Sequence, residues 1–175
     1  MKILKTTALL IFVLFASSVY AEDLPVFFDP GIDTYSLETQ QSTVMLLKNI
    51  PMKSASGFDT YEFNLGDDHL IQFIVHPGSL KSEISEISII CGQIKDQAQK
   101  YPGRAVTTKG ISLGISKAEL IGKIGEPMLV IGDRYEYRSE YHPGIQKKYN
   151  MPLYYGKYTF MNDKLISFSF GFEYP

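Results

Sequence analysis

From residue 164 to 173 the chain alternates strictly. Ile166, Phe168, Phe170 and Phe172 fall on one side of an extended segment, with Ser167, Ser169 and Gly171 on the other, the period of a strand with one buried face. Residues 134–141, 157–161, 61–63, 70–75 and 83–90 are similarly rich in aromatic and β-branched residues and are predicted strands. Asn162-Asp163 and Gly66-Asp67-Asp68 supply turns between them, because these residue types tolerate the left-handed backbone that a tight hairpin needs. A different period runs through Leu120, Ile121 and Ile124, which share one helical face. Ser116 and Glu119 ahead of it have capping-box spacing, and Gly125-Glu126-Pro127 stops it. Weaker helix candidates cover 40–48, where Val44 and Met45 stand, and the polar-faced linker 93–100 before Tyr101-Pro102-Gly103. His76-Pro77-Gly78 and His142-Pro143-Gly144 read as separate turn signals.

The order helix, strand, strand, strand occurs twice. Ser36-Leu37 answers Ser112-Leu113 at an offset of 76, and Tyr61-Glu62-Phe63 answers Tyr135-Glu136-Tyr137 at an offset of 74. A unit of about 60 residues buries only about 60% of its unfolded surface and gains by sharing a core with its neighbour. The expected fold class is therefore α+β, with two tandem units of a helix plus a three-stranded antiparallel meander forming one compact body. The expected segments are 1–21 as a leader, 22–103 as the first repeat and linker helix, and 104–175 as the second repeat.

The leader follows from Lys2 and Lys5, the apolar run 8–16, small residues at Val19 and Ala21, and the acidic pair Glu22-Asp23. This is the pattern of a secretory signal peptide. Nine apolar residues rise only about 14 Å as a helix, about half of a hydrocarbon core. A mature chain without a transmembrane anchor, periplasmic or secreted, is expected. The whole chain carries 17 Lys and Arg against 19 Asp and Glu, a balance with no field for nucleic acid. Cys91 is the single cysteine, so no intramolecular disulfide forms, and following Ile89 and Ile90 it reads as a small buried residue.

Candidate chemistry is sparse. Gly66-Asp67-Asp68-His69 has metal-binding residue types but reads as a hairpin turn, and the three histidines lack paired ligand spacing. There is no nucleophile elbow. No catalytic residue, metal or cofactor is expected, and the chain is read as a non-enzyme, an enzyme with a dispersed site being the lesser alternative. Tyrosine is the conspicuous residue, with eight of twelve between positions 135 and 174. Tyr135, Tyr137 and Tyr141 on a strand, and Tyr149, Tyr154 and Tyr155 in the long connection 142–156, are the candidate binding residues for a protein partner, since Tyr offers rigid amphipathic contact area. Packing of the same tyrosines in the core is the competing reading.

The stretch Gly110-Ile111-Ser112-Leu113-Gly114-Ile115-Ser116-Lys117-Ala118-Glu119-Leu120-Ile121-Gly122-Lys123-Ile124-Gly125-Glu126-Pro127, with the later Tyr158-Thr159-Phe160-Met161-Asn162-Asp163-Lys164-Leu165-Ile166-Ser167-Phe168, resembles the SmpA/OmlA (BamE-like) family of Gram-negative envelope proteins over about 60 residues. In tandem, the arrangement is similar to the architecture of the β-lactamase inhibitor protein. The resemblance implies a non-enzymatic, protein-binding role in the cell envelope, as an inhibitor-like module or alternatively in outer-membrane maintenance. The lipid-anchoring Cys usual in that family is missing, and no binding residue is carried over.

Overall fold

The computed structural model describes residues 23–39, 47, 50, 52–55, 57–76, 83–92 and 99–173. The leader, the helix candidate over 40–48 apart from Leu47, and residues 93–98 of the polar linker lie outside the described residues. A small hairpin of β1 (Gly31–Ile32) and β2 (Tyr35–Ser36) comes first. Then follow β3 (Lys53–Ala55), β4 (Phe58–Gly66), β5 (His69–Val75), β6 (Ile84–Cys91), α1 (Lys117–Ile124), β7 (Leu129–Ile131), β8 (Arg134–Glu140), α2 (Pro143–Tyr149), β9 (Leu153–Met161) and β10 (Lys164–Phe172).

This architecture overturns the expected α+β arrangement of two helix plus three-stranded meander units. Among the described residues the chain is mostly β, 48% strand against 13% helical, and one eight-stranded antiparallel sheet runs β3-β4-β5-β6-β10-β9-β8-β7. Two causes separate the outcome from the expectation. Each meander carries a fourth, short strand, β3 or β7, and the last strands of the two meanders pair, Phe168 with Ile89 and Phe170 with Ile87. Joining β6 to β10 removes two open edges where separate units would have exposed four.

Local chemistry explains the elements. Asp67 and Asp68 turn β4 into β5, and Asn162 and Asp163 turn β9 into β10, all four with φ between 48 and 59°; consecutive left-handed residues match the twist of the flanking strands. Ser116 caps α1, accepting from the Glu119 N–H at 3.2 Å while the Glu119 carboxylate accepts from the Ser116 N–H at 2.8 Å. Gly125, at φ 83°, ends the helix. Leu120 and Ile124 are its buried residues. Among the described residues, no helix is long and apolar enough to cross a membrane.

Away from register shifts at Leu165/Ser167, Asn64/Gly66 and Ile74/Val75, the pairing assigns side chains to faces. The first of these shifts breaks the alternation expected along β10, so that Leu165 and not Ile166 joins Phe168, Phe170 and Phe172 in the core. Phe63, Ile71, Ile89, Phe168, Tyr158 and Tyr135 stand opposite one another from β4 to β8, and the parallel row Tyr61, Phe73, Ile87, Phe170, Gly156 and Tyr137 lies beside it. These rows form the core face, covered by α1, Phe28, Ile32, Ile111 and Tyr101. Asp29 is sealed beneath that layer, its carboxylate accepting from the N–H groups of Gly31 and Lys109 at 3.4 and 3.2 Å. Burial raises its pKa against the hydrogen bonds from Thr107, Lys109 and Gly31.

Candidate functional site

Alternation leaves the residues between those rows on the opposite face. Glu62, Gln72, Ser88, Ser169, Lys157 and Glu136 form one in-register line from β4 to β8, ending against Leu129 of β7. Here the side chains hydrogen-bond across the strands. The Ser88 hydroxyl donates to Gln72 Oε1 at 3.0 Å, Gln72 Nε2 donates to Glu62 Oε1 at 3.0 Å, and Lys53 pairs with Glu62.

The adjacent line holds Ile74, Glu86, Gly171, Tyr155 and Arg138. Gly171 is the key to it. A Cβ there would lie 2.3 Å from the Ser85 carbonyl oxygen, so only glycine fits where β10 meets β6. Glu86 and Tyr155 stand on either side of it, on the strands flanking β10. Across Gly171 the Tyr155 hydroxyl and the Glu86 carboxylate influence each other's ionisation, with Ser169 acting on the hydroxyl as well. Burial raises the Glu86 pKa, opposed by the Tyr155 hydrogen bond and by the charge of Lys157. Burial likewise pushes the Tyr155 hydroxyl upward, and the neighbouring Glu86 charge adds to it. The Lys157 ammonium sits 5.0 Å from the Tyr155 ring centroid, within cation–π range. Arg138, flanked by Glu140 at 2.8 Å and Glu173 at 3.3 Å, closes this end of the face.

The six tyrosines singled out from the sequence part company. Tyr137, Tyr149 and Tyr154 are core residues. The Tyr137 hydroxyl donates to the Gly125 carbonyl at 2.9 Å, and the Tyr154 hydroxyl accepts from the Asp29 N–H at 2.9 Å and donates to the Asp29 carbonyl at 3.1 Å. Tyr135 is half-buried on the same face against Phe160. Tyr141 is 68% exposed, with φ 53°, a left-handed conformation that a bulky residue adopts at a cost of about 1 to 2 kcal/mol. Its N–H donates to the Pro152 carbonyl at 2.6 Å. Only Tyr155 belongs to the polar face.

The long connection over 142–156 is also different from the loop expected. Pro143 opens α2, the His142 side chain accepts from the Gly144 N–H, and Ile145 and Tyr149 anchor the helix in the core. Tyr154 and Tyr155 already belong to β9. Sequence reasoning missed Glu86, Lys157, Ser169 and Gly171 as a group; the signal was the polar half of the alternation on β6, β9 and β10.

Cys91, expected to be buried, is exposed. Its Sγ lies 3.6 Å from His69 Nε2. The His69 ring is held between the Asp67 carbonyl at 2.7 Å and the Ile166 carbonyl at 3.0 Å, which pins the end of β5 to β10. Among the described residues no group of three or more His, Cys, Asp or Glu is placed to hold a metal. No family model, curated protein or solved structure matches the chain.

Proposed function

We propose that this chain is an exported, non-enzymatic protein-binding module of the bacterial cell envelope, which engages its partner through the outer face of the sheet around Glu86, Tyr155, Lys157 and Ser169. The observation that carries the reading is the in-register polar line from Glu62 to Glu136, with the Tyr155–Glu86 pair beside it. Such a surface supports recognition because its side chains are already ordered by one another. Little rotamer entropy remains to be lost when a partner arrives. Tyr155 supplies the aromatic anchor and Lys157 the adjacent charge, the residue types that make binding hot spots and steer encounter. Export rests on the leader pattern of residues 1–21.

A photo-crosslinking amino acid placed at Lys157 tests the reading in periplasmic extract. A discrete adduct is expected, and Tyr155→Ala in the same chain should abolish it. An adduct pattern unchanged by Tyr155→Ala, or one matched by a crosslinker at Lys148 on α2, overturns the role of this face.

A further inference from the structure

The two edges of the sheet are built differently. The β3 edge is Lys53-Ser54-Ala55, with Lys53 paired to Glu62 and the Ser54 hydroxyl donating to Asp59 at 2.5 Å. Lysine and polar side chains are how native sheets protect an edge from further pairing. The β7 edge carries no such residue. Met128, Leu129, Val130 and Ile131 are 67, 50, 52 and 49% exposed, so both faces of this edge strand are apolar.

One residue of the strand offers its main chain outward. The hairpin to β8 closes at Ile131 and Arg134, and Leu129 stands opposite Glu136. Antiparallel ladders alternate, so Leu129 and Ile131 bond to β8 while the N–H and C=O of Val130 point away from it. The Met128 N–H donates to the Glu136 carbonyl at 2.9 Å, and Pro127 before it has no N–H to give. An antiparallel neighbour is therefore held at Val130, and a second β7 strand pairs about a two-fold axis through that residue.

In that register the segment from Glu126 to Arg134 complements itself position by position. Val130 meets Val130 on the core face. Leu129 of each copy meets Ile131 of the other on the outer face, at the non-hydrogen-bonded positions where side chains come closest. Met128 falls opposite Gly132, where nothing lies within 4 Å of the place a Cβ would take, so its long side chain has room. Glu126 falls opposite Arg134, and the two-fold makes that opposite-charge contact twice. Both residues are exposed. Among the described residues no ion pair engages Glu126, and Arg134 uses one of its five N–H donors on Glu136 at 2.7 Å. Asp133, at the hairpin tip, is held by Lys117 at 2.8 Å, so it brings no uncompensated carboxylate up to Glu126.

From this self-complementarity we infer that the occupant of the β7 edge is a second copy of this chain, joined antiparallel so that two eight-stranded sheets become one. The protein makes one such join internally, where β6 of the first meander pairs antiparallel with β10 of the second. Pairing Val130 with itself sets the axis perpendicular to the sheet, which puts the two outer faces on the same side. A partner of that face then meets two sites side by side and is held by avidity. The contact is a single strand wide, below the ~800 Å² per partner of a stable complex, so a reversible dimer with a Kd on the order of 10–100 µM is expected. The join uses the edge alone and does not depend on what the outer face binds.

Sedimentation equilibrium of the purified chain, across two decades of concentration around that Kd, tests the join. A monomer–dimer equilibrium is expected. Glu126→Arg, at an exposed site outside every strand and helix, should weaken dimerisation about tenfold, because two opposite-charge contacts become like-charge ones. Adding Arg134→Glu in the same chain should restore it, since each copy then meets the exchanged charge of the other. Ile131→Lys should abolish the dimer over this range, and so should Val130→Pro, which removes the outward N–H and no bond to β8. A chain that stays monomeric throughout overturns the proposal and leaves the edge to a different protein. So does a dimer that survives Ile131→Lys and Val130→Pro, one that Glu126→Arg leaves unchanged, or one that Arg134→Glu fails to rescue.

Discussion

Tyr154 and Tyr155 are neighbours in β9, and the pleat sends them to opposite sides of one sheet. Tyr154 lies fully buried with its hydroxyl bonded twice to the Asp29 backbone. Tyr155 lies half-buried on the outer face, across Gly171 from Glu86. The core face collects aromatic and aliphatic rows whose burial drives folding. The outer face collects Gln, Ser, Glu and Lys that satisfy one another across strands. Aromatic density in a β protein is thus divided by register before it can serve as a surface. A tyrosine count therefore locates a core and a binding face together, and only the pairing tells them apart.

Truncation on each side of the sheet separates the two faces most strongly. Tyr154→Ala is expected to cost about 4 kcal/mol in urea unfolding, as for other large aromatic deletions in cores, whereas Tyr155→Ala should cost about 1 kcal/mol, the worth of a cross-strand contact and its hydrogen bond. Equal losses would show that the two faces are not energetically distinct. Tyr154→Phe keeps the ring but leaves the buried Asp29 N–H without its acceptor, for an expected loss of about 1 to 3 kcal/mol.

A pH series separates the faces by their carboxyls. Glu86 on the outer face and Asp29 under the core face both have pKa values raised mainly by burial. Each holds its proton in the native state at pH values where the unfolded chain has released it. Their joint contribution to stability is therefore greatest below the ordinary carboxyl range and declines as pH rises through the raised values. Melting temperatures across that window should fall less steeply for Glu86→Gln than for the wild type, with the Asp29 part of the slope retained. A slope unchanged by Glu86→Gln would remove Glu86 from this account. The smallest effect is expected at Tyr158, whose hydroxyl is buried with no partner. Tyr158→Phe should leave stability unchanged or raise it by up to about 1 kcal/mol, since an unpaired buried hydroxyl is a net cost; calorimetry distinguishes this from the loss in Tyr154→Phe.

Much of the sheet was legible in the sequence. Alternation located β10 within a residue, the Asn162-Asp163 and Asp67-Asp68 turns fixed two hairpins, and the Ser116 to Glu119 spacing placed α1. The missed elements share a physical reason: their signals are short or ambiguous. Leu129–Ile131 is a three-residue apolar run directly after a helix stop, too brief to show a period. Pro143 is as good a first residue for a helix as for a turn, and the i, i+4 pair Ile145 and Tyr149 was the evidence that favoured α2. The Tyr candidates divide between the two faces because Tyr137, Tyr149 and Tyr154 read the same as Tyr155 until the register is known. The join of β6 to β10 had no local signal, since it links residues about 80 positions apart.

That join has a kinetic consequence. β10 comes after every other described strand, yet it occupies the middle of the sheet, with β6 on one side and β9 on the other. Until it docks, β6 presents an open edge carrying Ile84, Ile87 and Ile89, and the two meanders share no hydrogen bond of the sheet. Closing so long a loop is slow compared with forming either meander. A strand that follows all the other described strands is thus the one that commits the whole sheet, and a chain held short of it stays open.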